Sequence, residues 1–481
     1  MLSPLQRHAR ARPAAPALVG PDRDWSYADL CAAVEGAARR MRQAGIKEGD
    51  RVALRPTSPP EAVVLLWALW HAGAVAVPLS PREPVAAQQA QAEQVACRAI
   101  LAGEAADASF NDAVRVLTVP AILEGSPSAD EELPAWKRDR DATILFTSGS
   151  TGRPKAALHS WANHLYNAKG ANANLPLRAG DRWLLSLPLY HVGGLAILVR
   201  CALAGAAVVV PGRDDSIATA LVETRATHVS CVATQLRRVL ATSPEPPPVL
   251  RAMLLGGGPV PAPLLDRAHA HGWPLLMSYG CTEMASQVTT TMPGASRSAL
   301  RTAGSRLPHR RLRIGGDGQI RVAGRCLFRG YVEDGTIVDP RTDRGWYPTG
   351  DRGRIDARGR LHVLGRVDRM FISGGENIQP EEVETALEEL SGVTRAVVVP
   401  VSSAEYGRRP VAFIERERSS GAEDVREGLR GRLPGFKIPD AVYPFPEDVQ
   451  RREEMKIDRE ALRQWAEAHT PGAHDAGAGQ A

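Results

Sequence analysis

Nine consecutive residues could handle phosphate without help from the rest of the chain: Thr147-Ser148-Gly149-Ser150-Thr151-Gly152-Arg153-Pro154-Lys155, directly after the apolar run Ala142 to Phe146. Two glycines allow a tight turn that turns backbone N–H groups outward. Four hydroxyls add donors, and Arg153 and Lys155 add charge, so the loop suits phosphate oxygens. It lacks the Gly-Lys-Ser/Thr ending of a Walker A loop. Further on, Gly256-Gly257-Gly258-Pro259 makes a second glycine turn after an apolar run. Acidic residues follow small residues at Tyr279-Gly280-Cys281-Thr282-Glu283 and at Trp346-Tyr347-Pro348-Thr349-Gly350-Asp351. Lysine is scarce, with six in 481 residues, so Lys155 and Lys456 stand out against an arginine-rich background.

The elements that must position these groups alternate. Helical spacing over Trp25 to Ala44 and Pro60 to Ala72 predicts amphipathic or buried helices, each stopped by a glycine. Short apolar runs at Arg51 to Leu54, Ala74 to Pro78, Ala99 to Leu101, Val114 to Val119, Arg182 to Ser186, Ala206 to Val210, His228 to Val232 and Ala252 to Leu255 predict strands. Strands alternating with helices imply an α/β fold of parallel sheets covered on both faces, with ligands at strand ends. From about Gly315 the runs shorten. Beyond Asp368 come a helix from Pro380, strands from Val393 and Arg409, a helix over Ala422 to Leu433 and a terminal helix over Asp458 to Ala468. The expected organisation is a large α/β domain over 1–367, a small mobile α+β domain over 368–469 and a frayed tail over 470–481.

Composition excludes more than it selects. The 59 basic residues barely exceed the 54 acidic ones and are scattered, which argues against a nucleic-acid partner. Six cysteines lie far apart with no CxxC pair, as expected for free thiols in a reducing cytoplasm. No apolar run approaches the length of a membrane span, and Met1 to Pro13 has no signal-peptide core. A cytoplasmic protein is expected. Assembly into a homo-oligomer is left open.

Taken in order, these segments resemble the adenylate-forming superfamily of acyl-CoA synthetases, adenylation domains and luciferases. Gly365-Arg366-Val367-Asp368, Ser373-Gly374-Gly375-Glu376-Asn377 and Lys456-Ile457-Asp458-Arg459 extend the match to the C-terminal part. The resemblance implies an enzyme that uses ATP, magnesium and coenzyme A to turn a carboxylic acid into an acyl-adenylate and then a thioester. It places Thr147, Ser148, Gly149, Ser150, Thr151, Gly152 and Lys155 at the phosphates, with Thr282 beside them and Glu283 as magnesium ligand. Gly256, Gly257, Gly258 and Pro259 fall on the adenine side, where Tyr279, followed by Gly280, would stack. Asp351 and Arg366 are implied at the ribose, and Asp368 at the hinge. Ser373, Gly374 and Gly375 would line the pantetheine channel. Lys456 would bridge the attacking carboxylate and the α-phosphate, stabilising charge that develops in the transition state. Two departures from the family pattern are Met455, where glycine often precedes the lysine, and Ala156, where glycine often follows Lys155.

For the acid, Ser186 to Leu195 resembles the acyl-pocket segment, with His191 gating it, and Ser278 opens the Tyr-Gly-Cys-Thr-Glu stretch. The continuation Met284-Ala285-Ser286-Gln287, together with Phe371 to Glu384 and Glu405 to Ala412, is similar to o-succinylbenzoate–CoA ligases of menaquinone biosynthesis. Such an acid carries a second carboxylate that needs a cation. Arg238 is the expected holder and Arg237 the second choice. Ligases for another aryl or fatty acid, an adenylation module loading a carrier protein, and a non-catalytic nucleotide-binding protein are the alternatives.

Overall fold

The computed structural model describes residues 1–55, 58–103, 114–124, 131–147, 154–342, 344–416, 422–446 and 458–470. Ser148, Gly149, Ser150, Thr151 and Gly152 of the first loop, Lys456, and nearly all of the expected tail lie outside these residues.

Two large sheets carry most of the chain. In the eight-stranded sheet, strands 75–78, 51–54, 99–102 and 115–118 run parallel beside strand Asp141–Thr147. That strand turns back antiparallel into Lys155–Ser160, with strands 330–333 and 336–338 at the edge. The nine-stranded sheet has a parallel centre of strands 16–19, 207–209, 182–184, 228–231, 252–255 and 275–281. Antiparallel strands close both of its edges.

Helices Pro59–Ala72 and Val192–Ala204 are apolar nearly all round because they fill the layer between the sheets. One core cluster joins them to strand residues Val52 and Ala76 of one sheet and Leu18 and Val208 of the other. Their ends follow local chemistry. Ser58 caps the first in a reciprocal box with Glu61, and Gly73 at φ +83° closes it.

The expected helix from Trp25 instead begins at Tyr27, because Ser26 and Asp29 form a capping box and Asp24–Ser26 pairs as an edge strand. Thr349-Gly350-Asp351 lies inside the nine-residue strand Tyr347–Ile355 of a four-stranded antiparallel sheet, longer than the short runs expected beyond Gly315. The helix expected to run to Leu433 ends at Leu429.

Beyond Arg366 the chain builds its own cores. Phe371, Ile378, Val383, Leu387 and Val398 form one cluster, and Val397, Val399, Phe413 and Leu462 another on the opposite sheet face. Both flank strands Val393–Ser403, Gly407–Arg416 and Ala441–Pro444. The last helix, Arg459–His469, is tied in by Arg459, whose guanidinium meets both oxygens of buried Glu384 at 2.6 and 2.9 Å. That anchor lies three residues after Lys456.

Candidate active site

The end of strand Leu275–Cys281 is the centre of the site. It runs into the single turn Thr282–Met284, then returns antiparallel as Ser286–Thr290. Residue 280 must be glycine, since a Cβ there would overlap the Ser286 carbonyl. The turn presents Glu283, which is buried, and its Oε1 accepts from two phenols. Tyr331 donates to it at 2.6 Å and Tyr347 at 3.2 Å. Burial, followed by the nearby Glu283 charge, pushes both phenols up, so they remain donors.

Lys155 joins this group across sheets. Thr147 and Lys155 are directly paired where the phosphate-type loop leaves and re-enters the sheet. The Lys155 ammonium stands 5.4 Å from the Tyr331 ring centre. Lys155, at the end of this loop, and Glu283 therefore both lie beside Tyr331.

Tyr279 packs in the cluster of Met284, Val288 and Ile320, and its hydroxyl donates to Asp351 Oδ2 at 2.6 Å. Arg366 donates to Asp351 Oδ1 at 3.3 Å and to the Thr349 carbonyl at 3.0 Å. The same guanidinium reaches both oxygens of Asp368 at 3.0 and 2.9 Å. Burial pushes the Asp351 carboxyl up, against the pull of Tyr279 and Arg366. Bonding to Arg366 holds Asp368 below the usual carboxylate range. Each Asp351 oxygen keeps a second lone pair for a diol. The exposed turn Gly256 to Pro259 follows strand Ala252–Leu255, with Gly256 beside Ser278. Ser278 is half-buried, and its hydroxyl donates to the Thr289 carbonyl at 3.2 Å.

On the acid side, His191 is exposed at the start of helix Val192–Ala204, its ring 4.6 Å from that of Tyr190. Gln235 ties this segment to helix Ala233–Thr242 by donating to the Ser186 carbonyl at 2.9 Å. The two arginines of that helix do not fit the expected role. Arg237 donates to the Thr394 carbonyl and to Glu415, so its charge is spent on the C-terminal part of the chain. Arg238 is exposed on the helix surface.

Arg200 fits instead. It sits in the apolar helix Val192–Ala204, 2% exposed, and its Nε has no partner among the described residues. One Nη donates to the Ser286 hydroxyl at 3.5 Å, and the guanidinium lies 5.3 Å from the Trp183 ring centre. Burial, then the neighbouring Arg310 charge, pushes it down to about 9. No acidic side chain pairs with it among the described residues. A buried cation without a counter-charge is costly and marks a place for an anion. The sequence signal was there, a lone charge in the run Leu195 to Leu203.

In the C-terminal part, Gly374 and Gly375 form a two-residue hairpin turn at φ +56° and +87° between Phe371–Ser373 and Glu376–Ile378. Ser373 is buried beneath it and accepts from Arg409 at 3.3 Å, so of Ser373, Gly374 and Gly375 the two glycines are the exposed pair.

The six cysteines are free thiols, five of them buried. No cluster of three His, Cys, Asp or Glu side chains forms a metal cage among the described residues. A single carboxylate, Glu283, suits magnesium that arrives with nucleotide phosphates supplying the other oxygens.

The site and the layered fold define an AMP-binding enzyme, and the chain belongs to that family. The AMP-binding enzyme model matches residues 5–332, and the model of its C-terminal domain matches 382–456. Among its relatives is the 2-succinylbenzoate–CoA ligase of Salmonella typhimurium, 36% identical over 95% of this chain and 97% of that protein. The Escherichia coli K12 ligase of the same name is 33% identical over 93% and 94%. The Bacillus subtilis o-succinylbenzoate CoA synthetase in complex with the acyl-adenylate intermediate OSB-AMP superposes with a TM-score of 0.88. It is 29% identical, covering 96% of this chain and 98% of that one. The same enzyme with ATP and magnesium ion gives 0.83 at 30% identity, covering 92% and 95%. No helix among the described residues is long and apolar enough to cross a membrane.

Proposed function

We propose that this chain is an ATP- and magnesium-dependent o-succinylbenzoate–CoA ligase that serves menaquinone biosynthesis. The observation that carries the choice of acid is Arg200, a buried guanidinium without a carboxylate partner among the described residues, joined to the Glu283 turn through Ser286. The carboxylate of the acid that does not react pairs with Arg200, and the aromatic ring lies toward the His191 segment.

In the first half-reaction a carboxylate oxygen attacks the α-phosphorus and pyrophosphate leaves. Two anions must meet, so the residues here act by neutralising charge and fixing geometry. Glu283 would hold magnesium, with Tyr331 and Tyr347 orienting its carboxylate through Oε1, and the metal would supply positive charge that offsets the phosphates. Thr282, Lys155 and the backbone of the loop beginning at Thr147 hold the phosphates. Asp351, set by Tyr279 and Arg366, accepts from the ribose hydroxyls, and Tyr279 with the Gly256–Pro259 turn borders the adenine. Lys456 bridges the attacking carboxylate and the α-phosphate.

In the second half-reaction the coenzyme A thiol attacks the acyl carbon and AMP leaves. Rotation about Asp368 withdraws Lys456 and brings the Gly374–Gly375 turn to the entering thiol. In this reading residues 1–367 form the nucleotide- and acid-binding domain and 368–469 the mobile one.

A panel of acids scored for CoA-thioester and AMP formation tests this reading. O-succinylbenzoate is expected to exceed benzoates and fatty acids in kcat/KM. Turnover of those acids without o-succinylbenzoate removes the assigned substrate.

A further inference from the structure

The turn that carries Glu283 is gripped from behind by side chains the reaction does not use. His159, fully buried, donates from Nε2 to the Thr282 carbonyl at 2.7 Å. Asn167, 1% exposed, donates from Nδ2 to two carbonyls, those of Met284 at 2.8 Å and Gln287 at 3.1 Å. Arg310 braces the same corner, its Nε donating to the Gln287 carbonyl at 2.7 Å and one Nη to the Asn167 carbonyl at 3.1 Å. The Asn167 Oδ1 meets no donor among the described residues, so this amide is kept for its two N–H groups.

The backbone inside the grip is unusual. Ala285 has φ +54° and Ser286 φ +115°, though neither is glycine. Side chains with a Cβ hold such angles only where the surroundings impose them. The two ends of the kink serve different partners. Glu283 faces Tyr331 and Tyr347, and the Ser286 hydroxyl meets Arg200.

We propose that Asn167 is a positioning residue that clamps the Met284 and Gln287 carbonyls, holding the Ala285–Ser286 kink and so aligning the nucleotide and acid subsites together. What the subsites bind rests on the function proposed above. Without the amide, the Met284 carbonyl loses its side-chain donor, the Gln287 carbonyl keeps only Arg310, and the kink relaxes toward negative φ. That relaxation turns Glu283 and Ser286 away at the same time.

The test compares the full-length chain with Asn167→Ala, Ala285→Gly and the double variant. MgATP affinity is read by calorimetry, the KM for the acid by thioester formation, and thermal stability alongside. Asn167→Ala is expected to weaken MgATP binding and raise the acid KM together, each roughly tenfold, the scale of a lost buried hydrogen bond. Ala285→Gly in that background is expected to recover most of both, because glycine takes positive φ without a Cβ penalty. Should Asn167→Ala fold poorly, Asn167→Ser, with a shorter donor, is read the same way. A fall in melting temperature with both constants within twofold of wild type overturns the proposal. So does a change in one constant alone, or no recovery with glycine. Calorimetry needs no acid, so it reads the clamp even if wild type fails to turn over o-succinylbenzoate, a result that overturns the substrate instead.

Discussion

The Tyr279 hydroxyl donates to Asp351 at 2.6 Å, joining the strand that leads into the Glu283 turn to strand Tyr347–Ile355. On the other Asp351 oxygen, Arg366 bonds and continues to Asp368. Tyr279, Asp351, Arg366 and Asp368 thus form one hydrogen-bonded chain of four side chains. In the function proposed above, this chain would couple rotation at Asp368 directly to the ribose carboxylate.

Removing the first link should shift a pH profile. Burial raises the Asp351 carboxyl and the Tyr279 hydroxyl opposes that rise. Tyr279→Phe therefore raises it further, and the acid limb of kcat/KM for MgATP moves to higher pH. KM for MgATP is expected to rise roughly tenfold near neutral pH. An unchanged acid limb would show that Asp351 does not control nucleotide capture.

Arg200 separates substrate binding from stability. Arg200→Met removes a buried cation with no acidic partner, so the ligand-free chain should keep its melting temperature or gain a few degrees. The acid KM should rise by roughly 10²-fold, with MgATP affinity within twofold of wild type. Loss of stability together with an unchanged acid KM contradicts the assignment.

Glu388 makes the C-terminal unit sensitive to pH. Burial, then the Glu384 charge, pushes its carboxyl from 4.5 up to about 7, against the Ala396 N–H and the charges of Arg237 and Arg395. Folding therefore takes up a proton between those values. The contribution to stability is full below about 4.5 and is lost as pH rises through about 7. Glu388→Gln keeps an acceptor for Ala396 and carries no charge. It should melt a few degrees above wild type at pH 8, with the gap closing below pH 5. Equal gaps at both pH values would mean that Glu388 does not titrate in this range.

Lys456 should divide the two half-reactions. Lys456→Ala is expected to slow adenylation by about 10²–10³-fold. Thioester formation from supplied acyl-adenylate should proceed at the wild-type rate. Equal losses in both steps would assign Lys456 to a structural role.

Much of the site was legible because its signals are local. The glycine and hydroxyl run ending at Lys155, the Tyr279–Glu283 stretch and the Thr349–Asp351 stretch each carry their chemistry within a few residues. The layered fold was legible too, since helical spacing and short apolar runs alternate through the first 255 residues. Less legible were the antiparallel edges, such as Ser286–Thr290 and Gly330–Glu333, where pairing depends on the partner strand more than on the segment itself.

The arginines show where local reading stops. Arg237 and Arg238 looked suited to an anion because they share a helix near the acid segment. Side-chain direction sends Arg237 to Thr394 and Glu415 and places Arg238 on the exposed face of the helix. Residue order alone therefore determined the family, the succession of layers and the motifs proposed to meet the nucleotide, because motif chemistry and periodicity are properties of neighbours along the chain. Tertiary structure alone decided that Arg200 lacks a counter-charge among the described residues, that two tyrosines converge on Glu283 and that Asn167 grips its turn. Those facts depend on contacts between residues 48 to 120 positions apart, and burial sets the strength of each one.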